Sequence, residues 1–144
     1  AIATVSKMAS HLWGRIHATA AFGAMEQGDS ERAVRSVQAA AAAAARYGDC
    51  PTCSALLNPI AAEAYAHLSD SENARAYATA AAGVARVFAS SAWSAMAETA
   101  AGSAVLAEGN PSAAASRFDA AHNLYARAGH AFWADRSERL AASA

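Results

Sequence analysis

Cys50-Pro51-Thr52-Cys53 is the stretch whose residue types and spacing could do chemistry. Two thiols at this spacing, beside a helix start that stabilises a thiolate, suit a dithiol–disulfide redox pair. The same sulfurs could supply half of a four-ligand zinc site. Against the redox reading, the spacing is informative mainly next to a βαβ pattern, and none is visible here. Against zinc, the chain has no second pair of cysteines, and His11, His17, His67, His122 and His130 show no ligand spacing. The plainer reading makes Cys50 and Cys53 small, buried or half-buried side chains at a helix start.

Other chemistry has less to point to. Glu26, Asp29, Glu31, Asp70, Glu72, Glu108 and Asp119 fall mostly at expected helix ends, where capping and the helix dipole account for them. Paired carboxylates, a nucleophile elbow and a glycine-rich phosphate loop are not readable. His67, near a helix end, reads as solvated or bonded to a carbonyl rather than as a ligand. The expectation is therefore a protein that is not an enzyme, with no cofactor and no metal.

The elements that position these residues come from composition and periodicity. A chain of 144 residues with 55% hydrophobic content fits one domain, 1–144, either processed or a piece of a longer protein. The formal charge is −1, the pI is near 6.6 and the eleven Lys and Arg are scattered, so direct contact with nucleic acid is not expected. Alanine makes up about a third of the chain, and Val, Ile and Thr are sparse, which points to an all-α protein. No charged segment leading into an apolar one marks a secretion signal, and no apolar run is long enough to span a bilayer. The expected compartment is the cytoplasm.

Taken in order, 6–27 predicts a first helix with Met8, Leu12, Ile16, Ala20 and Met25 on one face. Gly28 closes it, and Asp29 or Ser30 caps a second helix reaching Arg46. The run 39–45 is all alanine, which allows close backbone approach between the apolar Val34, Val37 and Tyr47. A third helix over 51–68 starts at Pro51 and is expected to kink at Pro59 rather than break at Asn58, because only the full length matches the other helices in its position. Further helices follow from Asp70 to Phe88, over 93–108 and over 111–128. A last one covers 131–140, with Asp135, Arg136, Glu138 and Arg139 facing outward. Phe132 and Trp133, with Phe118, Tyr125 and Leu140, read as a lid over the preceding hairpin.

The turns at Gly28, Ser69 and Gly109 recur at about 40 residues. Aligning them aligns Ala33, Ala74 and Ala114, then Val37, Ala78 and Phe118, then Ala40, Ala81 and Ala121, all small or apolar. Each hairpin leaves an apolar face that only a neighbour can cover. The expected architecture is three helical hairpins, 6–46, 51–89 and 92–128, and a capping helix at 131–142, stacked as a right-handed α-α superhelix.

Tyr65, Ser69-Asp70, Ala74 and Ala81, with partial copies at Gly28-Asp29, Ala33 and Ala40 and at Gly109-Asn110, Ala114, Phe118 and Ala121, resemble the tetratricopeptide repeat. The resemblance extends from about Gly14 onward. It departs from the standard pattern at His17, Asn58 and Glu98, where a bulky aromatic is usual, and in its longer repeat. Long, Ala-rich repeats of this kind look like those in the C-terminal parts of large bacterial ATP-dependent transcription regulators and related signalling proteins.

That resemblance implies a concave groove, lined by the first helix of each hairpin, for a protein or peptide partner. In the standard register Arg15, Phe22, Met25 and Glu26 face it, then Leu56, Glu63 and His67, then Met96, Thr99 and Ser103. Phe22, Met25, Leu56 and Met96 have the alternative of packing between helices. With only Arg15 available, capture of a C-terminal carboxylate by a basic cluster is not expected. A homodimer is compatible with this arrangement. Two other functions stand beside the interaction scaffold: a redox or metal switch through Cys50 and Cys53, and a small-molecule sensor with a pocket lined by Trp13, Tyr65 and Trp93.

Overall fold

Gly28, Ser69, Gly109 and Gly129 all adopt left-handed backbone, with φ of 74°, 58°, 80° and 76°. After each of them the next amide donates back to the carbonyl five residues earlier: Asp29 to Ala24 (2.9 Å), Asp70 to Tyr65 (2.9 Å), Asn110 to Val105 (3.2 Å) and His130 to Tyr125 (3.0 Å). This closure satisfies carbonyls that a helix end would otherwise orphan. At three of the turns the same residue then caps the following helix, its side chain accepting from the amide of Arg32, Asn73 or Ala113. A single residue thus ends one helix and begins the next, which forces the chain to reverse.

The computed structural model describes residues 9–144, with side chains from residue 12. These fold as α1 (Ala9–Met25), α2 (Ser30–Tyr47), α3 (Pro51–Ser54), α4 (Asn58–His67), α5 (Ser71–Phe88), α6 (Ser91–Ala107), α7 (Pro111–Arg127) and α8 (Ala131–Ser143), with no strand among the described residues. The fold class is all-α. Helices α1 and α2, α4 and α5, α6 and α7, and α7 and α8 pack as neighbours through their short turns. Contacts of α1 and α2 with α4, and of α4 and α5 with α6, join the hairpins. None of the described helices is long and apolar enough to cross a membrane.

Small residues set the spacing. Ala33, Ala74 and Ala114 are fully buried at equivalent positions beyond the three turns, and Val37, Ala78 and Phe118 and then Ala40, Ala81 and Ala121 are all buried. Most of the core is methyl-sized, including Ala21, Ala24, Ala61, Ala62 and Ala64. At Gly102 even a methyl group has no room, because a Cβ there would lie 2.7 Å from the buried Phe118 ring.

Three expectations are corrected. The buried face of α1 is Ala18, Ala21, Ala24 and Met25, whereas Leu12 and Ile16 are 62% and 48% exposed. Ala20 is exposed too, and of the described expected face only Met25 is buried, so the buried stripe of α1 is rotated onto Ala18, Ala21 and Ala24, whose methyl groups let α1 approach its neighbours closely. The expected start at Ser6 and the residue Met8 lie outside the described residues, as does the side chain of His11.

The stretch 51–68 is broken rather than kinked. The amides of Ala55 and Leu57 bond to Pro51 and Ser54, and the next helix begins at Asn58 with Pro59 in its first turn. Pro59 has no N–H for the Ala55 carbonyl, and its ring crowds that carbonyl, so the helical ladder cannot continue through it. Finally, α8 does not present Arg136 outward. Arg136 and Ser137 are 5% and 2% exposed, and only Asp135, Glu138 and Arg139 of that stretch face solvent.

Candidate functional site

Trp133, Arg136, Ser137 and Leu140 recur on one face of α8 at helical spacing, and this face turns toward α1 and α4. From it Arg136 makes a two-pronged contact with Glu63 of α4: Nη1 donates to Oε2 at 2.9 Å and Nη2 to Oε1 at 2.8 Å. Its Nε donates to Oε1 of Glu26, just after α1, at 2.8 Å. The guanidinium carbon also lies 5.3 Å from the centre of the Phe22 ring. Burial on its own pulls the Arg136 pKa down, but the hydrogen bonds and charges of Glu63 and then of Glu26 outweigh it and raise the value. Planar pairing of this kind offsets the cost of taking a guanidinium and a carboxylate out of water.

Beside this ion pair lies a cavity of about 490 Å³, walled by α1, the α3–α4 turn, the start of α4, α6, α7 and α8. Phe22, Leu56, Ile60, Met96 and Trp133 form its apolar lining, and Arg15 stands at its exposed rim. Trp133 packs between Phe22 and Tyr125, with ring centres 5.2 and 6.2 Å away. The hydroxyls in the wall are occupied by their own helices: Thr99 donates to Ala95 O at 3.0 Å, Thr19 to Arg15 O at 3.0 Å and Ser137 to Trp133 O at 2.9 Å. The donors of these three are spent, so the inner wall offers an occupant mostly apolar surface, with Arg15 as the charged donor at the rim. Burial pushes the Tyr125 hydroxyl up to about 12, opposed by a hydrogen bond with Thr99 and the charge of Arg136.

The structure thus brings together five of the ten expected groove residues: Arg15, Phe22, Leu56, Met96 and Thr99. Glu63, His67 and Ser103 line a separate cavity of about 290 Å³ against Phe118 and Leu140. Met25 is a core residue at 8% exposure, and Glu26 is an ion-pair partner of Arg136. The expected residues are therefore divided between two cavities, with Arg136 of the larger one bonded to Glu63 of the smaller.

Trp13, Tyr65 and Trp93 do not come together in any of these cavities. Trp13 stacks on His17, Tyr65 stacks on Tyr77 and Trp93 stacks on Phe88. The expected lid is present in part, with Phe118 and Tyr125 buried and Trp133 packed on Tyr125, while Phe132 is 55% exposed.

Cys50 and Cys53 sit at the start of α3, where Cys50 Sγ donates to Cys53 Sγ at 2.8 Å. Cys53 is buried under α1, so close that a Cβ on Gly14 would lie 3.3 Å from its own Cβ. The Cys53 pKa is raised by the hydrogen bond with Cys50, by burial and by the charge of Cys50, and is pulled the other way by Arg15. Cys50 is half-buried and lines a cavity of about 420 Å³ with Trp13 and Tyr77. Among the described residues no group of three His, Cys, Asp or Glu side chains is placed to hold a metal ion.

Reading by repeat register missed Arg136, Trp133, Ser137 and Tyr125. A signal for them was present, since Trp133, Arg136, Ser137 and Leu140 follow the i, i+3, i+4, i+7 pattern of a buried helical face. Charge hid it, because an arginine near the end of a chain reads first as a solvated residue. Searches against protein-family models, curated proteins and solved structures give no match for this chain.

Proposed function

We propose that this chain is a non-catalytic binding module of stacked helical hairpins, similar to tetratricopeptide repeats, that takes an apolar anchor residue of a protein or peptide partner into the recess beside Arg136. One observation carries the reading: the Phe22, Leu56, Met96 and Trp133 recess of about 490 Å³ opens at the rim where Arg15 is exposed. Interfaces gain most of their energy from a few anchors that fill such pockets. A cationic rim favours an acidic residue next to the anchor, through complementarity that speeds encounter and selects partners. The resemblance in the repeat pattern supports a role for such a module in a bacterial transcriptional or signalling regulator of the cytoplasm.

A second reading has its own support, since the recess falls within the roughly 300–1,000 Å³ range of small-molecule pockets. One experiment separates the two. A random peptide library is selected on the wild-type chain and on Met96→Trp, in which the larger side chain fills the recess. An enriched motif of one apolar anchor beside an acidic residue, lost with Met96→Trp and weakened by Arg15→Gln, is the expected result. Equal enrichment on both proteins removes the recess as the site. No enrichment, with displacement of anilinonaphthalene sulfonate by medium-chain fatty acids, transfers it to the small-molecule reading.

A further inference from the structure

The Cys50-Pro51-Thr52-Cys53 turn has no part in the recess, yet its geometry is that of a pair able to react. The sulfurs are 2.8 Å apart, roughly 0.8 Å more than a disulfide bond, so closure needs only a small rotation of side chains. Accessibility is unequal. Cys53 is 6% exposed beneath Gly14 of α1, whereas Cys50 is half-buried at the edge of the cavity shared with Trp13, Asp49 and Tyr77. The hydrogen bond with Cys50 and burial hold the Cys53 thiol protonated, while Arg15, the nearby cation, opposes them. The turn is also held from its other end, where Ser54 Oγ donates to Asp49 Oδ1 at 2.5 Å, so both cysteines sit in one fixed loop.

We propose that Cys50 and Cys53 are a reversible dithiol–disulfide pair, oxidised by a low-molecular-weight disulfide of the glutathione type. The Cys50 thiolate attacks one sulfur of that disulfide, a Cys50–glutathione bond forms and one glutathione thiolate leaves. With Cys50 tied up in that bond its hydrogen bond and charge no longer hold the Cys53 proton, and Cys53, beside Arg15, gives up the proton and attacks the Cys50 sulfur. The internal disulfide forms, and the second glutathione thiolate leaves. The two protons given up by the cysteines end on the two released thiols, so two thiols are oxidised and one external disulfide is reduced. The missing βαβ context argues against an oxidoreductase acting on other proteins, not against an internal pair, which needs only proximity and one accessible sulfur.

The full chain equilibrated in glutathione buffers of rising oxidised fraction, then alkylated and weighed by mass spectrometry, tests this. The expected product loses both alkylatable thiols together and is lighter than the reduced chain by two hydrogens, with no second chain attached. Cys53→Ser should stop at the mixed disulfide on Cys50, and Cys50→Ser should form its adduct at least roughly ten-fold more slowly, because Cys53 is covered. Arg15→Gln should slow the second step and let the mixed disulfide accumulate, which a purely structural role for the turn would not produce. Two thiols still fully alkylated in the most oxidising buffer, or a disulfide formed only between chains, overturns the proposal on wild-type protein alone, whether or not the variants fold.

Discussion

Arg136 and Glu63, 73 residues apart in sequence, form the most enclosed charge pair of the described chain, with both side chains 6% exposed and two parallel bonds of 2.9 and 2.8 Å. Glu26 adds a third bond from the end of α1. One guanidinium therefore ties α8 to α4 and to the α1–α2 turn.

Removing one partner leaves the other charged and covered. Arg136→Ala is expected to cost about 3–5 kcal/mol, the range for breaking a buried pair. The double change Arg136→Met with Glu63→Leu should recover most of that loss, because no buried charge remains to be solvated. Thermal unfolding followed by circular dichroism measures both. A single variant as stable as wild type would show that α8 is not held by this contact.

Ser69 takes the left-handed backbone that glycine takes at the other three turns of this kind, with φ of 58°. A residue with a Cβ is disfavoured there by roughly 1–2 kcal/mol, against which glycine loses about 0.5–1 kcal/mol through its freer unfolded chain. Ser69→Gly should stabilise the protein by about 0.5–1 kcal/mol. Urea unfolding gives the sign directly, and a destabilised variant would mean that the exposed hydroxyl has a partner worth more than the strain.

At Gly102 the balance goes the other way. Alanine is the better helix former by about 1 kcal/mol, but its methyl would meet the Phe118 ring at 2.7 Å in a site with 1% exposure. Overpacking costs about 1–3 kcal/mol, so Gly102→Ala should be net destabilising by about 1 kcal/mol. The same change made in a Phe118→Leu background should be less harmful than in wild type. Additive effects in that double-mutant cycle would place the two residues out of contact.

Tyr125 supplies a pH signature. Its folded value, raised by burial from 10.0 to about 12, lies above the unfolded one, so the neutral hydroxyl's contribution is fully present below pH 10 and is lost as pH rises through 12. Ultraviolet titration of tyrosinate in the native chain should therefore show a last step near pH 12, beyond that of Tyr77, which burial also raises, and Tyr125→Phe should remove that last step alone. If all tyrosines ionise together while circular dichroism remains native, Tyr125 is in contact with water.

Local order was legible where local physics decides it. The closing turn at Gly28, the Asp29 and Asp70 caps and the aligned Ala33, Ala74 and Ala114 each follow from a few neighbouring residues, and each is found where the sequence places it. The α1 face was misread because Leu12 and Ile16 were ranked above alanine by size, although close helix packing favours the methyl group. At Pro59 a length argument outweighed the local one, and the missing N–H broke the helix.

The candidate site was only half legible, for a different reason. Arg15, Phe22, Leu56, Met96 and Thr99 share a recess because the hairpins repeat, and repetition is a property of sequence. What covers that recess is not. Sequence alone determined the all-α class, the turn positions and the small-residue seam, since helix propensity, capping and left-handed backbone act within a few residues. Tertiary structure decided that α8 lies inward and that Arg136 meets Glu63 and Glu26, because the worth of a charge depends on what excludes water from it. That is set by helices 73 and 110 residues away.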